Sequence, residues 1–126
     1  MPWKLEVTDK NKLLKVKYQG DFAADELRAT TLKIVAALIE KGSLRLLLDC
    51  YDAHFDVPTV AVYQLPELYD QMGVSRQVHA AVVLPKDGYR KEIFEFYEDV
   101  CRNRGYFVQL FPDATSALAW LRDPNI

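Results

Sequence analysis

The sequence predicts an α/β protein: a mixed, mostly parallel five-stranded sheet with an N-terminal antiparallel hairpin and helices packed on it. Three observations carry that expectation. Two stretches near the N-terminus alternate apolar and polar residues with a period of two. Residues 44–49 and 78–84 are near-continuous apolar runs, the pattern of strands buried on both faces. Segments with helical spacing separate the later strands, as parallel crossovers require.

In the first strand Trp3, Leu5 and Val7 alternate with Lys4, Glu6 and Thr8. Asp9, Lys10, Asn11 and Lys12 form a turn, and Leu14, Val16 and Tyr18 then alternate with Lys15, Lys17 and Gln19. Lys10, Lys12, Lys15 and Lys17 read as guards against edge pairing rather than as a phosphate patch. Gly20 and Asp21 end the hairpin. Over residues 23–41, Leu27, Thr31, Ile34, Val35 and Leu38 share one helical face, and Gly42 closes the helix.

Residues 44–49 form the next strand. Asp56 then accepts hydrogen bonds from the first-turn amides of a second helix, and Pro58 sits where no donor is needed. Its stripe is Val57, Ala61, Leu65, Leu68 and Met72; Pro66 should kink or divide it, and Gly73 ends it. After the strand at 78–84, Asp87 or a neighbour caps a third helix with Ile93, Tyr97, Val100 and Cys101 as its core stripe and Gly105 at its end. Residues 106–111 are the last strand. Asp113 caps a short helix that turns Ala114, Ala117, Leu118 and Leu121 inward. The order is β-β-α-β-α-β-α-β-α, a single domain over residues 1–126, with no internal repeat and no linker.

Composition excludes several classes. A net charge of −2 on 126 residues lacks the basic excess of a dedicated nucleic-acid binder. No apolar run approaches the ~20 residues of a membrane span, and the N-terminus has no signal-peptide core, so the expected compartment is the cytoplasm. Cys50 and Cys101 read as buried thiols. The five glycines are isolated at element boundaries, so no loop cradles a phosphate and no cofactor is expected.

Residues 44–59 are the first place to look for a site. An apolar run gives way to Asp49, Cys50, Tyr51, Asp52, His54 and Asp56, which would line the carboxyl edge of the sheet. Cys50, Asp52, His54 and Asp56 match no metal pattern, and His79, at the start of its own strand, belongs to the opposite edge. Cys50 lacks an oriented base. Asp49, Asp52 and Asp56 offer a carboxylate acid–base pair for a hydrolase, but acids spaced this way read first as caps and solvated charge. Asp49 and Lys86 each follow a buried strand, as in phosphoacceptor domains, without the second acidic pair those domains carry. Phe94 and Phe96 widen the third helix's apolar arc, and with Tyr63 and Tyr69 they suit a homodimer seam or an apolar groove. A fully covered helix explains them equally.

The element order, Leu47-Leu48-Asp49, and Phe55-Asp56-Val57-Pro58-Thr59 resemble the STAS family of anti-sigma-factor-antagonist-like domains. Asn103-Arg104-Gly105, Phe111-Pro112-Asp113 and Ala117-Leu118-Ala119-Trp120-Leu121 resemble its small SpoIIAA-like branch. The resemblance implies a mixed sheet of four or five strands, no catalysis, and partner contact through the start of the second helix. The family's phosphorylated serine follows an aspartate there. Asp56 matches that aspartate, but Val57 and Pro58 hold the serine positions, with Thr59 displaced.

The expectation is a non-enzymatic regulatory module that meets a protein partner or a second copy through Asp49, Tyr51, Asp52, His54, Asp56, Thr59 and Lys86. The alternative is a carrier or sensor of a small apolar or lipid-like ligand held between the second and third helices. Neither needs nucleic acid or integral membrane association.

Overall fold

Four strands run parallel in chain order and a fifth lies antiparallel beside them. The structure, a computed structural model, describes the backbone of residues 3–10 and the whole of residues 12–126. β1 (Trp3–Lys10), β2 (Leu13–Ala23), β3 (Arg45–Asp56), β4 (His79–Val83) and β5 (Phe107–Phe111) form one sheet in that order. β1 pairs antiparallel with β2; every later pair is parallel. α1 (Ala24–Lys41), α2 (Thr59–Met72) and α3 (Lys91–Asn103) connect the parallel strands, and α4 (Ala114–Leu121) follows β5. The α/β architecture with a parallel sheet is the one that the buried runs and intervening helical stripes imply. The expected turn at residues 9–12 and the inward faces of Trp3, Leu5 and Val7 fall partly or wholly outside the described residues.

Alternation along the strands makes two cores. Leu14, Val16, Leu46, Leu48, Ala80, Val82 and Val108 face α1, α2 and α3; Leu13, Leu47, Ala81, Val83 and Phe111 face Ala117 and Leu121 of α4. α1 buries Leu27, Thr30, Thr31, Ile34, Val35 and Leu38, spaced one helical turn apart. The two threonines are tolerated inside because each hydroxyl donates to a carbonyl one turn back, Thr30 to Glu26 O at 2.9 Å and Thr31 to Leu27 O at 2.7 Å. Glu26 accepts from the Ala23 N–H at 3.0 Å, and Gly42, with φ 62°, ends the helix in the left-handed conformation a side chain disfavours. Asp113 accepts from the Ser116 N–H at 2.8 Å, the cap expected for α4.

Other boundaries differ from the sequence reading. β2 continues through Gly20 and Asp21 to Ala23. α2 runs unbroken through Pro66: its ring is fully buried beside Leu65 and Leu68, and that packing outweighs the missing backbone bond. α2 begins at Thr59 with Pro58 as its first flanking residue and no side-chain cap, because the chain stays extended past Asp56. Asp87 does not cap α3. It lies in a single 3-10 turn, Lys86–Gly88, and Arg90 precedes the helix.

β5 is an edge strand, and α3 closes its edge. Arg102 Nε donates to Val108 O at 3.1 Å, the Leu110 N–H donates to Glu98 Oε2 at 3.1 Å, and the two side chains pair at 3.5 Å. Edge backbone left open invites pairing with another chain. At the sheet's amino-terminal side, Asp70 gathers α2, α3 and β5: it accepts from Tyr106 Oη at 2.6 Å, Arg76 Nη2 at 2.6 Å and Arg104 Nη1 at 2.7 Å. Arg76 also lies over the Tyr106 ring, 4.0 Å from its centroid. The Tyr106 hydroxyl first, then Arg104 and Arg76, hold the Asp70 carboxyl below its usual range.

Two outcomes follow from these contacts. The double variant Glu98→Ala/Arg102→Ala self-associates more than the parent chain at equal concentration, measured by sedimentation velocity. Asp70→Asn lowers the melting temperature at neutral pH. Because the folded-state pKa of Asp70 is depressed, its contribution is complete above the ordinary carboxylate pKa of about 3.9 and is lost as pH falls through the lower folded value. Melting curves of parent and variant recorded down to pH 3 therefore converge at the acid end.

Candidate functional site

The acidic stretch is strand rather than loop. β4 stops at Val83 opposite Asp49, while β3 continues to Asp56 on β2 alone, with Gln19 opposite Asp52 and Ala23 opposite Asp56. The register steps from Lys17–Asp49 to Gln19–Asp52, so β3 carries one extra residue, a bulge at Cys50–Tyr51. Beyond it Ala53 and Phe55 are buried, whereas Tyr51, Asp52, His54 and Asp56 are exposed. Phe55 anchors the overhang: it stacks on Phe22 of β2 at 5.2 Å and 19°, and meets Tyr18 at 5.5 Å and Phe94 of α3 at 5.7 Å edge-on.

The expectation that β3 ends at Asp49 and that the acids form a helix-capping rim is therefore corrected. Asp52, His54 and Asp56 are the wet face of an amphipathic strand whose dry face is Ala53, Phe55 and Val57. The alternation is visible in the sequence, but the run of acids before Pro58 disguises it as a cap.

Lys17 organises the start of this face. Its ammonium lies 3.2 Å from Asp52 and 3.7 Å from Asp49. Partial burial opposes its charge, but the two carboxylates outweigh that and hold its pKa above the usual lysine value. Lys17 is thus no edge guard: β2 lies one strand in from β1, and the lysine bridges to β3. Lys86, expected beside Asp49, is exposed at the opening of the 3-10 turn. Further along, His54 Nδ1 lies 3.4 Å from Asp21 Oδ1, and its ring packs on Tyr89 at 4.6 Å. Arg90 donates to the carbonyls of Val57 at 3.0 Å and Phe55 at 3.4 Å. Lys17, Asp21, Tyr89 and Arg90 escape a reading of residues 44–59 alone because register and loop path bring them in.

The remaining candidates separate into surface and core. Thr59 is exposed at the head of α2, with Val60 58 % and Tyr63 51 % exposed beside it. Tyr63 stacks on Phe96 of α3 at 6.5 Å. Phe94 is buried, and Tyr69 turns inward to share a 2.8 Å hydroxyl hydrogen bond with Tyr97. These two are interior, not seam, residues. Both line a cavity of about 70 Å³ beneath α1, α2 and α3, together with Tyr18, Leu48, Cys50 and Tyr97.

Burial, and secondarily the Asp49 charge, push the Cys50 thiol well above its usual pKa, which keeps it protonated and a poor nucleophile. Burial likewise pushes Cys101 up to about 12. Asp49 and Asp52 face a shared lysine rather than each other across a cleft. No group of three or more His, Cys, Asp or Glu among the described residues is placed to hold a metal. His79 stacks on Phe107 at the start of β4, about 30 Å along the strands from His54. No helix among the described residues is long and apolar enough to cross a membrane.

No protein-family model and no curated protein matches the chain. Solved structures do. An anti-sigma factor antagonist from Mycobacterium paratuberculosis superposes with a TM-score of 0.69 at 16% identity, over 96% of this chain and 95% of that one. The phosphorylated form of the Bacillus cell fate determinant SpoIIAA gives 0.58 at 11% identity, over 95% and 99%. An uncharacterised protein with a SpoIIAA-like fold from Shewanella loihica gives 0.56 at 17% identity, over 94% and 93%. The arrangement of sheet and helices described above is a STAS-like, SpoIIAA-like fold.

Proposed function

We propose that the chain is a non-enzymatic, STAS-like regulatory module of the cytoplasm that binds a protein partner, or a second copy of itself, with the outer face of the β3 overhang and the head of α2. The observation that carries this reading is the composition of that surface. Tyr51, Asp52, His54 and Asp56 are exposed on the overhang with Tyr89 packed on His54, and Thr59, Val60 and Tyr63 are exposed at the head of α2, the mixture of aromatic and polar groups that interfaces favour. Some of the chains with this fold are anti-sigma factor antagonists, which supports protein recognition as the task. A phosphate switch of the kind the SpoIIAA forms imply would need a hydroxyl where this chain has Val57 and Pro58, so recognition here runs through fixed acids and suits an Arg-bearing partner surface.

A second reading has one observation in its favour. The cavity of about 70 Å³ under the three helices is walled by apolar groups and Tyr hydroxyls, which suits a small, mostly apolar ligand. It is too small for a lipid chain unless α2 and α3 move apart.

Two measurements decide between them. A photo-crosslinking residue at Val60 or Tyr63, used in cells, should yield one dominant adduct identifiable by mass spectrometry. Asp52→Asn/Asp56→Asn should weaken that complex roughly fivefold, about 1 kcal/mol, with the melting temperature unchanged; an unaltered complex overturns the surface assignment. Native mass spectrometry of the purified chain should show the bare protein mass, and a retained small-molecule mass would favour the carrier.

A further inference from the structure

Two voids adjoin in the core, the one of about 70 Å³ described above and another of about 50 Å³. Tyr18, Thr31, Leu48, Tyr69 and Tyr97 line both. No charged side chain lines either, and the polar side-chain atoms in their walls are hydroxyls and the Cys50 thiol.

The hydroxyls are unequally employed. Thr31 donates to Leu27 O at 2.7 Å, and Tyr106, which borders the smaller void, donates to Asp70 at 2.6 Å. Tyr69 and Tyr97 share one bond of 2.8 Å, which spends only one of their two hydrogens. Tyr18 is 5 % exposed, and its hydroxyl has no hydrogen-bond partner among the described residues. A buried polar hydrogen without an acceptor carries its full cost of desolvation. Tyr18 thus points to an acceptor that the chain does not itself supply.

The walls restrict what that acceptor is. Burial above all pushes the Tyr18, Tyr69 and Tyr97 hydroxyls well above the usual tyrosine pKa, so each stays a neutral donor. With no cation beside them, nothing offsets the burial of a carboxylate or phosphate. Size is the second limit. An engineered cavity of about 150 Å³ takes benzene, so the two voids together suit a guest of about four to six non-hydrogen atoms.

We propose that the two voids form a binding site for a small neutral ketone, whose carbonyl oxygen accepts from Tyr18 and whose alkyl groups pack on the apolar walls. A carbonyl has two lone pairs, enough for Tyr18 and for the spare hydrogen of the Tyr69–Tyr97 pair. An alcohol, acid or amide would bring a further hydrogen to be satisfied. This deepens the cavity reading, on which it rests, and is independent of the surface reading. So few atoms bind weakly enough to exchange with solvent, so a bare native mass after purification agrees with it.

The test uses the full chain, 2-butanone, and 2-methyl-1-butene, in which a methylene replaces the carbonyl oxygen. Methyl-labelled protein is titrated with each in sealed NMR tubes. 2-Butanone is expected to saturate with a Kd of about 1 mM or below. It should give intermolecular NOEs to the methyls of Leu48, Val62 and Val82, which line the larger void. The alkene should bind about fivefold more weakly or worse. Tyr18→Phe should weaken 2-butanone to the level of the alkene, with a melting temperature equal to or above the parent's. If Tyr18→Phe does not fold, the comparison of ketone with alkene on the parent chain decides.

Absence of saturable binding by either guest overturns the cavity reading and this inference together. Equal binding of ketone and alkene leaves an apolar cavity and overturns the ketone. A lower melting temperature for Tyr18→Phe with ketone binding unchanged means that ordered water satisfies the hydroxyl, and overturns it too. None of these outcomes touches the crosslink at Val60 or Tyr63 that tests the surface.

Discussion

The carboxyl end of the sheet depends on Phe55 stacked against Phe22. Past Gly20 and Ala53, where pairing with β1 ends, β2 and β3 make a two-stranded parallel ribbon, which buries too little to stand in water by itself, and parallel strands normally need cover on both faces. The β2–β3 overhang has that cover on one face only, where Tyr18, Phe22, Phe55 and Phe94 make a connected aromatic cluster. Every polar group on the opposite face owes its position to that cluster, and so does the head of α2, which leaves the ribbon two residues beyond Asp56.

The same arrangement explains why the outer face is wet. α4 packs on β3, β4 and β5, where Leu47, Ala81, Val83 and Phe111 give it an apolar floor. On the overhang the equivalent floor is Lys17, Asp49, Asp52, His54 and Asp56, on which no helix could pack without stripping charges of water. The lysine–carboxylate pairs satisfy one another locally while leaving Asp56 and Thr59 available on the rim.

Much of the fold is legible from residue order. The stripe of α1, the two apolar runs and the Asp113 cap are local patterns, and local patterns survive folding. The overhang was harder. Inward residues of β3 are even-numbered at Leu46, Leu48 and Cys50 and odd-numbered at Ala53 and Phe55, because the bulge changes the parity. A reader following one alternation loses it at Tyr51 and takes the remainder for loop. Register is equally invisible: nothing near Asp49 announces that its lysine is Lys17 rather than Lys86, or that Arg90 reaches back to Val57. Those pairings are set by strand lengths and a turn path, which are properties of the assembled sheet.

The bulge has a consequence for how this region can vary in length. Exposed, polar segments usually tolerate insertions and deletions, since nothing packed depends on their count. Residues 50–52 look like such a segment by composition. Removing one residue there takes out the extra residue and leaves an unbroken alternation with Ala53 and Phe55 still facing inward, whereas removing Ala53 or His54 would turn Phe55 to water and drive Asp56 against Phe22 and Phe94. Loss of a residue is therefore tolerated at the bulge and barred just beyond it, within the same hydrophilic stretch of the strand, while the tips beyond Gly42 and Gly73 stay open to length change.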